Sequence, residues 1–167
     1  PGQREMQLAT ETIMGAQRPI ILAGNGAIRG RASRALRAFV HTTGIPVAET
    51  FMAKGLIDYE DVHALGTVGL QSRDYEMAGF EEADVVIAVG FDLVEHAPEH
   101  WNAKGDKRIV MVDTVAAEID EFFIPEVELV GDIAYVLARL AAGCERSPSA
   151  SPGSERLRDL VLGALHE

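Results

Sequence analysis

Cysteine is nearly absent from this chain. Cys144 is the single one among 167 residues, which excludes an internal disulfide and fits a reducing, cytoplasmic setting. Its own reading is a small residue near a helix end. Positive charge is scarce: 15 Lys and Arg face 26 Asp and Glu, for a net charge of −11. An acidic surface is repelled by nucleic acid and by anionic membranes, so neither is expected as a partner. Long hydrophobic runs are missing too; the apolar stretches are strand-sized, too short to span a bilayer. Pro1 opens no charged-then-apolar leader, and the lack of an initiator Met suggests an excised piece of something longer. Internal repeats are absent. No Ser–His–Asp or Cys–His constellation stands out that would carry nucleophilic catalysis.

What is present is a series of short apolar runs closed by Gly or Asp. Pro19–Gly24 (PIILAG) runs into Asn25-Gly26, Asp84–Gly90 (DVVIAVG) ends on Gly90, and Arg108–Asp113 (RIVMVD) ends on an acid. The middle run shows no polar alternation, which implies burial on both faces. Helical stretches lie between: Gln3–Gly15, Arg31–Thr43 with Gly44 as its stop, Ser72–Glu82, Ala116–Phe123 ahead of Pro125, and Asp132–Ala142 capped by Asp132. Ile45–Glu49 and Val127–Val130 complete the expected strands, and Thr50–Gly69 reads as an irregular excursion over the carboxyl edge. This alternation describes a parallel α/β sheet with a crevice at its carboxyl edge. With 47% hydrophobic and 25% charged residues, a single domain of this length buries a substantial core. The texture changes at 143–154, where Ser147, Pro148, Ser149, Ser151, Pro152 and Gly153 read as a linker. The expected division is therefore a domain over 1–142 and a linker with a following connection over 143–167.

Chemistry has few candidates. Gly24-Asn25-Gly26 sits between a strand and a helix, where glycine permits close approach of a phosphate to the helix amino end. The next glycine is Gly30, so the spacing departs from GxGxxG. Two readings stay open: a phosphate site, or a turn that packs strand against helix. Asp113 ends a later strand, where an acid can hold a ribose hydroxyl or serve a turn. Gly24, Asn25, Gly26, Thr50, Gly90 and Asp113 are thus the candidate residues of a nucleotide crevice. Lys54 lies on the loop at its edge, as a phosphate partner or as a solvated lysine. His96-Ala97-Pro98-Glu99-His100 matches the HxxEH pattern of inverted zinc proteases. Two His ligands need adjacent turns of one helix, and Pro98 between them removes a backbone donor and clashes with the preceding turn. The expected reading is an exposed loop with Trp101 tucked against the fold, and no metal site is assigned.

The order of these segments resembles the central domain of thiamine-diphosphate-dependent enzymes. The carrying segments are Arg18–Gly26 (RPIILAGNG), Gly44–Gly55 (GIPVAETFMAKG), Ala83–Gly90 (ADVVIAVG), Ile109–Asp113 (IVMVD) and Val127–Ile133 (VELVGDI). Gly90–Asn102 (GFDLVEHAPEHWN), Ala117–Asp120 and Pro125–Ile133 are similar to acetolactate synthase large subunits, in particular the catabolic, flavin-independent branch. The resemblance implies a Rossmann-like, doubly wound sheet of about six mostly parallel strands with helices on both faces. It implies a homo-oligomeric parent of branched-chain amino-acid or acetoin metabolism that condenses two pyruvates to acetolactate with loss of CO2. It further implies two flanking domains: one supplies the glutamate that activates thiamine diphosphate, the other a GDG…N motif that holds Mg2+ and diphosphate. Here Gly131-Asp132 continues with Ile133, so no catalytic residue and no cofactor are expected within this chain, which alone should be inactive. Flavin-binding relatives place an arginine after the glycine that ends the fourth strand. Here Phe91, Asp92, Leu93 and Glu95 follow Gly90, and two acids repel a pyrophosphate, so FAD is not expected and the crevice would be vestigial. The alternatives are a stand-alone binding module for an ADP-, FAD- or NAD-type nucleotide, and the central domain of another thiamine-diphosphate 2-oxo acid decarboxylase.

Overall fold

The computed structural model describes residues 1–70, 74 and 78–145. Its sheet has six strands, all parallel: β1 (Pro19–Ala23), β2 (Val47–Thr50), β3 (Ala64–Val68), β4 (Val85–Val89), β5 (Arg108–Asp113) and β6 (Val127–Val130). They lie side by side in the order β3-β2-β1-β4-β5-β6. The order reverses direction between β1 and β4, and there a doubly wound sheet opens its crevice. The helices are α1 (Gln3–Met14), α2 (Asn25–Arg29), α3 (Ser33–Thr43) and α4 (Ile133–Cys144).

Every residue of β1 and of β4 is buried, which is why neither strand alternates in sequence. Their side chains still divide by parity. Ile21, Ala23, Ile87, Val89, Val110 and Val112 join one core with residues of α1, α3 and α4. Ile20, Leu22, Val86, Ala88, Ile109 and Met111 join a second core, on the opposite face. That face is closed by an aromatic group: Trp101 lies 6.0 Å from Phe80, 5.9 Å from Phe91 and 6.1 Å from Phe123 between ring centroids. Trp101 thus packs on the fold as expected. At the amino edge, Asp84 accepts the backbone N–H groups of Gln17 and Arg18, both at 2.8 Å, tying the entry of β1 to that of β4.

Several boundaries differ from the sequence reading: α2 is an additional short helix, α3 starts at Ser33 rather than Arg31, and β2 is Val47–Thr50 rather than Ile45–Glu49. The excursion over 50–69 contains β3, a true edge strand. The helix expected over Ala116–Phe123 does not form: Ala117 N–H goes to Glu128 Oε1 at 2.6 Å, and Asp120 closes a turn by accepting Phe122 N–H at 2.9 Å. This turn aims Phe123 into the aromatic group, and its burial outweighs a short helix. α4 runs two residues beyond Ala142, to Cys144; the expected linker from residue 146 on lies outside the described residues, as does most of the helix expected over 72–82, where Asp74 is helical and Phe80–Glu82 form a 3-10 turn. Asp132 caps α4 as expected, accepting Tyr135 N–H at 3.1 Å.

Candidate functional site

The crevice is built by two tight turns pressed together. β1 is followed by Gly24, and β4 by Gly90, whose φ of +59° suits glycine. Gly24 N–H donates to Val89 O at 2.8 Å, and Gly26 N–H to Gly90 O at 2.9 Å. A Cβ on Gly26 would stand 2.8 Å from Gly90 Cα, and one on Gly24 would stand 2.6 Å from Phe91 Cα. Glycine at these positions is what lets the two turns approach backbone to backbone.

The centre of the site is Glu95. Its Oε1 accepts Asn25 N–H and the Thr50 hydroxyl, each at 2.8 Å. Its Oε2 accepts Asp92 N–H at 2.9 Å. One carboxylate thus joins the ends of β1, β2 and β4 and takes the first backbone donor of α2. The sequence shows an acid in this loop, read there as a repelling charge; the structure turns its carboxyl group inward onto the strand ends. Only a 70-residue separation in sequence links it to Asn25, and no local spacing signals such a contact.

Of the expected residues, Asn25 and Thr50 bond Glu95, Gly24 lies against it, and Gly26 and Gly90 pack on each other. Asp113 stands at the end of β5, and its Oδ1 accepts Thr114 N–H at 2.7 Å. Burial raises its pKa above the ordinary range, against the lowering effect of the Thr114 contacts and Arg29, and Asp92 adds to the rise. Lys54 is exposed and stands apart, at a cavity of about 290 Å3 beside β2 and β3 that it shares with Glu49, Ile57, Tyr59 and Thr67. Glu49, missed in sequence, is buried there and accepts Ile57 N–H at 2.6 Å and Gly55 N–H at 3.1 Å. Its pKa is raised because burial outweighs those two bonds and the Lys54 charge. His96 and His100 do pack together, ring centroids 4.3 Å apart. Pro98 opens the 3-10 turn Pro98–His100 and leaves His96 outside it.

Residues 6–140 match the family described as "Thiamine pyrophosphate enzyme, central domain". The chain belongs to this family. Among its relatives, the acetolactate synthase of Bacillus subtilis (strain 168) is 35% identical over 127 residues, 75% of this chain and 22% of that protein. The acetolactate synthase of Mycobacterium leprae is 30% identical over 85% of this chain and 23% of its own length. The acetolactate synthase large subunit of Corynebacterium glutamicum is 32% identical over 98% of this chain and 26% of its own length. This central domain therefore spans about a quarter of the curated relatives it matches. A stand-alone nucleotide module is not favoured by these likenesses.

The family description implies thiamine pyrophosphate, whose diphosphate is an anion. The crevice does not fit it. The Asn25 amide and the Thr50 hydroxyl already serve Glu95, and Asp92 and Asp113 add negative charge on the same edge. No helix of the described residues is long and apolar enough to cross a membrane.

Proposed function

We propose that this central domain is the non-catalytic scaffold of an acetolactate-synthase-type enzyme of the flavin-independent kind. The whole enzyme would convert two pyruvates to acetolactate and CO2, in the cytoplasm, with thiamine diphosphate and Mg2+ held by flanking domains. The observation that carries the scaffold role is the Glu95 carboxylate seated at the amino end of α2. It occupies internally the donors that a bound nucleotide would need, which supports a domain that holds none. The acids at this edge equally disfavour the pyrophosphate of FAD.

The carboxyl edge also supports the partners. Phe51 and Met52 after β2, Leu70 after β3 and Val94 after β4 are 55%, 56%, 60% and 88% exposed, respectively. Apolar side chains gathered there suit burial against a flanking domain or a second subunit of a homo-oligomer.

The test is an assay of the longest polypeptide that contains this chain. Incubated with pyruvate, thiamine diphosphate and Mg2+, it should accumulate acetolactate, read as acetoin after acid treatment. Turnover of other 2-oxo acids with no acetolactate from pyruvate would keep the family and discard this reaction.

A further inference from the structure

A second cluster lies away from the crevice. His41 occupies the last turn of α3, while Asp61 and His63 belong to the turn that leads into β3. His41 Nε2 stands 2.8 Å from Asp61 Oδ2, and His63 Nδ1 stands 2.9 Å from Asp61 Oδ1. The two rings are tilted by 50° with centroids 5.8 Å apart. One ligand-type atom from each residue lies within 4.8 Å of the other two, and no other trio of His, Cys, Asp or Glu does so among the described residues.

We propose that His41, Asp61 and His63 bind one borderline divalent transition-metal ion of the zinc class, with water completing the coordination. Two imidazole nitrogens and a carboxylate oxygen are the donor set such ions prefer; a hard ion such as Mg2+ demands oxygen instead. Bonds of about 2.0–2.2 Å in a tetrahedral site put ligand atoms about 3.3–3.5 Å apart. The imidazoles stand 2.8 and 2.9 Å from the two Asp61 oxygens, and one ligand atom from each residue lies within 4.8 Å of the others, so small side-chain shifts reach that spacing.

Two of the ligands are already held. Asp61 N–H donates to Asp58 O at 2.9 Å, Ala64 N–H to Asp61 O at 3.0 Å, and His63 N–H to Asp61 Oδ1 at 2.9 Å. The third adjusts easily, since the His41 side chain is 59% exposed. Each imidazole turns a nitrogen toward the shared carboxylate. An ion entering between them takes the place of those hydrogen bonds. The acidic chain draws cations toward the site. Its structural effect is a staple: it ties the end of α3 to the start of β3, which among the described residues is an edge strand paired with β2 alone.

Calorimetric titration of the chelator-treated chain with zinc tests this, alongside Co2+ as a spectroscopic probe. One zinc per chain should bind at micromolar concentration or below, and Co2+ should give ligand-field absorption. Affinity should fall at least about tenfold in His41→Ala and in His63→Ala, and stay unchanged in His100→Ala. Zinc should raise the thermal midpoint of the unmodified chain and leave that of His41→Ala unmoved. His41 is exposed, so its variant folds and decides the matter even where His63→Ala does not. The absence of micromolar binding, its persistence in His41→Ala, or its loss in His100→Ala overturns the proposal.

Discussion

Glu95 Oε1 accepts the Asn25 amide at 2.8 Å, so the amino end of α2 is capped by a carboxylate from the loop after β4. The same oxygen holds the Thr50 hydroxyl. A single acid thereby fixes three strand ends and shapes the edge on which the proposed function depends.

Removing it should be felt in stability. Glu95→Ala strands the Asn25 and Asp92 amides and the Thr50 hydroxyl, and should cost about 2 kcal/mol or more in urea denaturation. Thr50→Val removes one of the three contacts and should cost about 1 kcal/mol. Equal losses for the two variants would show that Glu95 is no hub.

Gly90→Ala should be worse. Its φ of +59° is costly for any side chain, by about 1–2 kcal/mol. The new Cβ would also press into the Ala27 amide and stand 2.6 Å from Gly26 C. Loss of soluble, folded protein or a destabilisation beyond about 2 kcal/mol is expected; a thermal midpoint near that of the parent chain would contradict the interlocked turns.

These two turns also show what a sequence conveys and what it hides. β1, β4 and β5 are legible because strands buried on both faces are written as unbroken apolar runs. β3 is not, because an edge strand is half solvated and Gly66 within it has a φ of +95°. The helix expected near Ala116 fails for a long-range reason, the pull of Glu128 on the Ala117 amide. Similarly, the glycines and Thr50 mark the crevice in sequence, yet nothing local tells that Glu95 turns inward to fill it. His41 and Asp61, 20 residues apart, meet only through the fold.

Glu49 gives a pH signature. Burial raises its folded pKa above the model-peptide 4.5, so the folded state favours the protonated acid. Its contribution to stability is greatest below that value and declines as pH rises through the raised pKa. Glu49→Gln carries no ionisation cost. The stability of the unmodified chain relative to Glu49→Gln should therefore shrink as pH goes from 4 toward neutrality, measured by urea midpoints. A difference that grows over this range would reverse the sign.

Cys144 should be chemically quiet. Burial pushes its thiol up to about 11, and the reactive form is the thiolate. At pH 8 a thiol reagent should label the native chain far more slowly than the urea-unfolded chain. Matching rates would place Cys144 at the surface.

Purified without added cofactors, the chain should be colourless. A yellow preparation with flavin absorbance would mean that Glu95 and Asp92 fold away to admit a pyrophosphate.

The central claim is that this domain supports a thiamine-diphosphate enzyme without holding the cofactor itself. Isothermal titration of thiamine diphosphate with Mg2+ tests it most directly, run in parallel on the 167-residue chain and on the longest polypeptide that contains it. The longer protein should bind with a stoichiometry near one site per subunit, while the chain alone should give only the heat of dilution. Micromolar binding by the chain alone would contradict the account.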